Sequence, residues 1–157
     1  MIVYEFKQRI SIEQVEESHD LAPKFDSNGL IPVITTDATS GEVLMHGYMN
    51  AEALQKTLAI GEAVYYSRSR KTIWHKGKTS GLIQTVRSIR IDDDQDCLWL
   101  LVDVTGSASC HVGYRSCFYR EITPRPDTQT ANLTFLETEK VFDPKALYGD
   151  APNPTQL

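Results

Sequence analysis

The 157-residue chain is poor in cysteine, has no long apolar run and carries no excess of positive charge. No window approaches the ~18 apolar residues of a membrane-spanning helix, so no membrane partner is expected. The opening residues, M-I-V-Y-E-F-K-Q-R-I, alternate apolar and polar side chains and lack the apolar core of a secretory signal, which points to a cytoplasmic protein. Only three cysteines are present, Cys97, Cys110 and Cys117, and all fall within one short stretch. That clustering excludes a disulfide framework spread through a small secreted fold. A net charge of −5 argues against a nucleic-acid surface. Acidic residues are nonetheless absent from Ser67 to Ser80, where Arg68, Arg70, Lys71, Lys76 and Lys78 stand. Such an uncompensated basic stretch suits a small anionic ligand, although a solvated loop has the same composition. No internal repeat is visible.

What is present reads as an α+β, mainly β, protein of short strands with one principal helix. Alternation predicts strands over 2–10, 31–36, 42–48, 63–67 and 82–90, and a nearly continuous apolar run predicts a buried strand over 97–104. The 118–122 segment is expected to pair last. Ser11 followed by Gln14 has capping-box spacing and predicts a short helix over 12–18. Asn50 as N-cap and Gly61 as stop bracket the principal helix, 51–60, with Ala53, Leu54, Thr57 and Leu58 as its buried stripe. Residues 68–81 are polar and glycine-marked and read as an irregular functional loop. Five of the seven prolines lie between Pro124 and Pro154. The expected organisation is therefore a domain over 1–122 and an irregular, proline-rich extension over 123–157.

The densest chemistry lies between Asp92 and Phe118. Four carboxylates, Asp92, Asp93, Asp94 and Asp96, precede the apolar run, and Cys110-His111 and Cys117 follow it. Carboxylates are hard ligands suited to Mg²⁺ or Mn²⁺, whereas thiolates and imidazole suit Zn²⁺ or Fe²⁺. An acidic run is more often a solvated turn, and buried free cysteines more often act as small hydrophobes. The surrounding C-H-x-G-x-x-S-C-F pattern favours a metal-dependent active site.

This stretch, with G-L-I-P-V (29–33), E-V-L-M-H-G-Y-M-N-A-E-A-L (42–54) and Y-S-R-S-R-K-T-I-W-H-K-G-K-T-S-G (66–81), resembles the phosphoribosyl-AMP cyclohydrolase family. The resemblance spans about residues 28–120. It implies an intertwined homodimer with shared sites and a metal-dependent hydrolase of histidine biosynthesis. The implied reaction is hydrolysis of the N1–C6 bond in the purine ring of 1-(5-phosphoribosyl)-AMP, a small nucleotide. It also implies zinc held by three cysteines, with Cys110 and Cys117 matching two of them, and magnesium at Asp92, Asp94 and Asp96. His111, beside Cys110, is the candidate general base or water-orienting group. Arg68, Arg70 and Lys76 are candidates for phosphate, with Gly77 and Ser80 in the same loop. Trp74 either stacks on a base or anchors the loop.

Three positions depart from the family pattern: Lys78 stands where glutamate is usual, Leu82 where a polar residue is common, and the third lies in the acidic run. The family's acidic motif reads D-C-D-x-D, and this chain has Asp93 in place of the cysteine. Either Asp93 ligates, with Fe²⁺ or Mn²⁺ then able to replace zinc, or the backbone is rearranged, or the site is incomplete. Cys97 lies ~13 Å from Asp93 if the strand stays extended, too far to substitute. Three aspartates at ~7 Å intervals likewise cannot share one Mg²⁺ unless the chain bends. The alternative is a relative repurposed as a non-catalytic nucleotide- or metal-binding protein, or a hydrolase of a related purine nucleotide.

Overall fold

The computed structural model describes residues 2–157. Its principal helix, α2 (Ala51–Ile60), begins where the Asn50 side chain accepts from Ala53 N, and ends at Gly61 with φ 71°. Ala53, Leu54 and Thr57 are buried, so this stripe packs on the sheet. Strands β1 (Ile31–Asp37) and β2 (Val43–Met49) form the expected hairpin. The turn is held by Asp37, whose Oδ1 accepts from Thr39 N and Ser40 N.

Strands β5 (Gln84–Ile91) and β6 (Leu98–Val104) complete a four-stranded sheet in the order β2-β1-β6-β5. β1 runs parallel to β6, while the other two pairs are antiparallel. Ile31, Val33, Leu98, Leu100 and Val102 of the two central strands are buried with Leu54, Val64 and Tyr65. The opposite face leaves Ile34 and Trp99, directly paired across β1 and β6, exposed.

Three segments differ from the sequence-based expectation. Residues 2–10 join no sheet; the α2 side chain Gln55 meets the backbone instead, accepting from Tyr4 N at 2.8 Å and donating to Tyr4 O at 2.6 Å. The 68–81 stretch is not wholly irregular, because β4 (Thr72–His75) pairs antiparallel with β3 (Val64–Ser67), placing Trp74 opposite Tyr65. The β-branched and aromatic residues Thr72, Ile73 and Trp74 favour that strand, and Lys71 takes the left-handed turn position at φ 52°.

The tail is likewise structured. Strands β7 (Arg120–Arg125) and β8 (Thr130–Phe135) form a second hairpin, followed by α3 (Pro144–Tyr148). Pro124 is tolerated because a two-stranded hairpin is all edge. Helix α1 (Ile12–Glu17) forms where expected, with Ser11 Oγ accepting from Gln14 N.

Candidate active site

The acidic run sits between β5 and β6, where the chain reverses rather than continuing as a strand. Asp92 N donates to Cys97 O at 3.1 Å, and Gln95 adopts φ 56°. Gln95 is the anchor of this turn. Its buried side chain donates to Val15 O and Asp20 O and accepts from Ala22 N. Asp92 Oδ1 then accepts from Asp96 N and Cys97 N.

The reversal brings ligand oxygens of Asp92, Asp94 and Asp96 within 4.8 Å of one another, the bend that a shared cation requires. Hydrogen bonds to Asp94 and Asp92 push the Asp96 carboxyl up to about 6, as crowded like charges share a proton. A divalent cation relieves that crowding, so the donor set fits one. Beside the turn opens a cleft of about 350 Å³ lined by Glu16, His19, Asp20, Asp92 and Asp93. Asp93 is exposed. The extended-strand premise for Cys97 also fails, since it lies back beside Asp92; its thiol reaches only Leu98 O, at 3.8 Å.

Cys110 and Cys117 come from the loop between β6 and β7. Cys110 N donates to Tyr114 O, Gly113 N to Cys110 O, and Cys117 N to Leu44 O of β2. These bonds place the thiols against each other. The Cys117 thiol donates to Cys110, which brings Cys110 down to about 6 against the opposing effect of burial; the Val112 amide and Lys76 add to the lowering. Cys117, as donor, is pushed up in turn. A pair sharing one proton presents one thiolate near neutral pH, and such a pair fits a soft divalent metal. Among the described residues, no third ligand lies close enough to join it, and Asp93 does not.

His111 follows directly. Its Nε2 is the one buried side-chain nitrogen or oxygen without a hydrogen-bond partner among the described residues. Burial, then the charge of Lys76, lowers its pKa, with Asn153 opposing. The imidazole is therefore neutral near pH 7 and has a free nitrogen.

Lys76 is turned inward, not out with the other bases. It is 3% exposed, and its Nζ donates to Ser109 O at 2.6 Å. Burial lowers its pKa, and the two cysteines oppose that. Ser109 is held from the core side as well, through Tyr65 Oη to Gln84 Oε1 at 2.6 Å and Gln84 Nε2 to Ser109 Oγ at 3.3 Å. Lys76→Met should therefore remove a positive charge that favours the Cys110 thiolate. The pH midpoint for alkylation of Cys110 should move upward from about 6; an unchanged midpoint would show that the ammonium does not reach it.

Arg68 and Arg70 are exposed at the β3–β4 turn, with Arg68 4.1 Å above the Tyr48 ring and Arg70 5.6 Å from Trp74. Trp74 packs on Tyr65 at 5.6 Å, which anchors the hairpin to the core. Ser80 Oγ accepts from Leu82 N at 3.2 Å. Gly77, φ 87°, lies so near the 82–83 backbone that a Cβ would sit 2.4 Å from Ile83 N. Sequence reasoning overlooked Gln95 and Ser109. Neither carries a local signal, because a glutamine in an acidic run and a serine before Cys110 look like spacers.

Comparison with known proteins identifies the family. Residues 45–119 match the family model for phosphoribosyl-AMP cyclohydrolase. The chain is 55% identical over 136 residues to the phosphoribosyl-AMP cyclohydrolase of Rhodopseudomonas palustris strain BisA53, covering 87% of this chain and 92% of that one. It is 51% identical to that of Rhizobium etli strain CIAT 652, over 86% of this chain and 89% of the relative. It is also 51% identical to that of Bradyrhizobium sp. strain BTAi1, over 80% and 95%. With 55% identity over an alignment that covers 92% of a relative's length, the chain belongs to the phosphoribosyl-AMP cyclohydrolase family.

Proposed function

We propose that this protein hydrolyses the N1–C6 bond in the purine ring of 1-(5-phosphoribosyl)-AMP, the cyclohydrolase step of histidine biosynthesis, in the cytoplasm. The observation that carries this, beyond the family, is a neutral His111 with a free buried nitrogen next to a cysteine pair. Cys110 and Cys117 would hold zinc, or Fe²⁺ or Mn²⁺ in its place, and Asp92, Asp94 and Asp96 would hold Mg²⁺. Metal at the thiols would lower the pKa of the attacking water from ~15.7 toward ~7. His111 Nε2 accepts a proton from the water as its oxygen bonds to C6. The N1–C6 bond breaks, N1 keeps the electron pair, and the imidazolium returns the proton there. Arg68 and Arg70 reach the two phosphates from the exposed hairpin turn. Lys76 holds the cysteine loop through Ser109, with its charge toward the thiols.

The working unit is a homodimer with shared sites. Exposed Asp93, outside the cysteine group of its own chain, is the candidate third donor to the pair of a second copy. The exposed Ile34–Trp99 face supplies apolar surface for the contact. No partner role for nucleic acid or membrane is included; among the described residues no helix is long and apolar enough to cross a bilayer.

Turnover of phosphoribosyl-AMP by protein supplied with Mg²⁺ and with zinc, Mn²⁺ or Fe²⁺ is the test. Protons compete with Mg²⁺ for Asp96, whose carboxyl titrates at about 6 in the free cluster. The Mg²⁺ concentration for half-maximal activity should therefore rise as pH falls through 6. Absence of turnover with every metal would support the reading as a repurposed binding protein.

A further inference from the structure

The residues after β8 return to the cysteine loop and strap it. Leu136 N donates to Tyr119 O at 2.8 Å, which turns the chain back. Glu137 then presents its carboxylate to two consecutive amides, with Arg115 N donating to Oε1 at 3.0 Å and Ser116 N to Oε2 at 3.1 Å. The carboxylate side chain is 13% exposed, and Arg115 Nε lies 3.5 Å from Oε1 while its other end pairs with Glu42 at 3.0 Å. Further on, Val141 N donates to Gly113 O at 2.7 Å, and a Cβ at Gly113 would sit 2.6 Å from Phe142 O. The strap thus touches the loop at Gly113 and again at Arg115–Ser116, between the two cysteines.

Other amides of this loop have partners outside the strap: Ser109 N donates to Arg115 O and Cys110 N to Tyr114 O within the loop, and Cys117 N to Leu44 O of β2. The amides of Arg115 and Ser116 have only Glu137. A bidentate carboxylate on adjacent N–H groups fixes the direction of both peptides. Those peptides lead directly into Cys117.

We propose that Glu137 is a positioning residue for the metal centre: by clasping the Arg115 and Ser116 amides it sets the placement of Cys117 against Cys110. This rests on the reading that the two cysteines hold metal. Glu137 lies beyond residue 119, where the match to the family model ends, in a segment that carried no function in the sequence. A purely electrostatic role has the opposite sign, because the carboxylate's charge disfavours both thiolates and its removal would tighten metal binding.

The test is Co²⁺ titration of the full-length metal-free protein, read by thiolate-to-cobalt charge-transfer absorption well below the melting temperature. That band ignores cobalt at the carboxylates, and Cys110→Ser provides the control for its origin. Glu137→Gln keeps the volume but opposes an NH₂ group to one of the amides, and Glu137→Ala removes both acceptors. Cobalt dissociation constants should rise about tenfold or more in both variants. A change below about threefold, with only the melting temperature lowered, would make Glu137 merely structural and overturn the proposal. Tighter binding would overturn it in favour of charge. Absence of the band in the native protein would overturn the cysteine reading itself, and this inference with it.

Discussion

Cys110→Ser should lower turnover of phosphoribosyl-AMP by about a thousandfold or more while the protein stays folded. Losing the metal's acidification of water costs about 4 kcal/mol of transition-state stabilisation, equivalent to about three powers of ten. A serine hydroxyl is harder, far less acidic than a thiol, and does not ionise under these conditions. Cys110 is buried, and the substitution nearly conserves its volume, so the local packing should survive. The loop's backbone bonds, Cys110 N to Tyr114 O and Gly113 N to Cys110 O, do not involve the thiol. Cys97→Ser is the matched control, since its thiol makes only a weak contact with Leu98 O. That variant should retain activity within a few fold. Steady-state kinetics on both variants, with circular dichroism as the folding check, decides the matter. Activity of Cys110→Ser within tenfold of native would remove the cysteine pair from the chemistry.

The largest effect on stability is expected at Gly77, where Ala should destabilise by about 3 kcal/mol or more. Two costs add there. A positive φ of 87° strains any residue with a Cβ, and that Cβ would stand 2.4 Å from Leu82 C and Ile83 N. Those are backbone atoms of the chain entering β5, so they cannot rotate away as a side chain could. Relief requires moving the 77–83 turn, closed by Gly81 N to Gly77 O at 2.7 Å, or moving Lys76 beside it. Gly61→Ala separates the two contributions: its φ is 71°, yet no atom lies within 4 Å of the added carbon. It should cost only about 1 kcal/mol, the conformational strain alone. Urea unfolding of the two variants gives the comparison. Equal losses would mean that the close backbone approach at Gly77 relaxes freely.

Much of the fold was readable along the chain because its signals are local. Asn50 and Gly61 bound α2 through hydrogen bonds and dihedral angles that neighbouring residues decide. The alternation of β1, β2 and β5 and the apolar run of β6 each required a short window only. The same holds for the motifs that resemble the cyclohydrolase family. Where the reading failed, local pattern and local need diverged. Residues 2–10 alternate like a strand, but their backbone bonds go to Gln55 of α2 at Tyr4, to Leu21 O at Lys7 and to Gln14 at Gln8 and Ile10. The prolines of the tail suggested irregularity, yet β7 and β8 pair around the turn at Pro126 and Asp127.

The site's geometry was decided by contacts distant in sequence. Asp92, Asp94 and Asp96 converge because Gln95 is pinned to Val15 and Asp20, some 80 residues earlier in the first case. Lys76 carries the same charge as its neighbours in the basic stretch. Only the packing of the β3–β4 hairpin against the cysteine loop turns it inward onto Ser109. Glu137 reads as one more acid in a polar tail until the strap brings it to Arg115 and Ser116. Sequence alone determined the elements and the chemical types available, since propensity, capping and alternation act over a few residues. Tertiary structure decided which of those groups meet and which way they face, because burial and hydrogen-bond satisfaction are settled only when remote segments pack together.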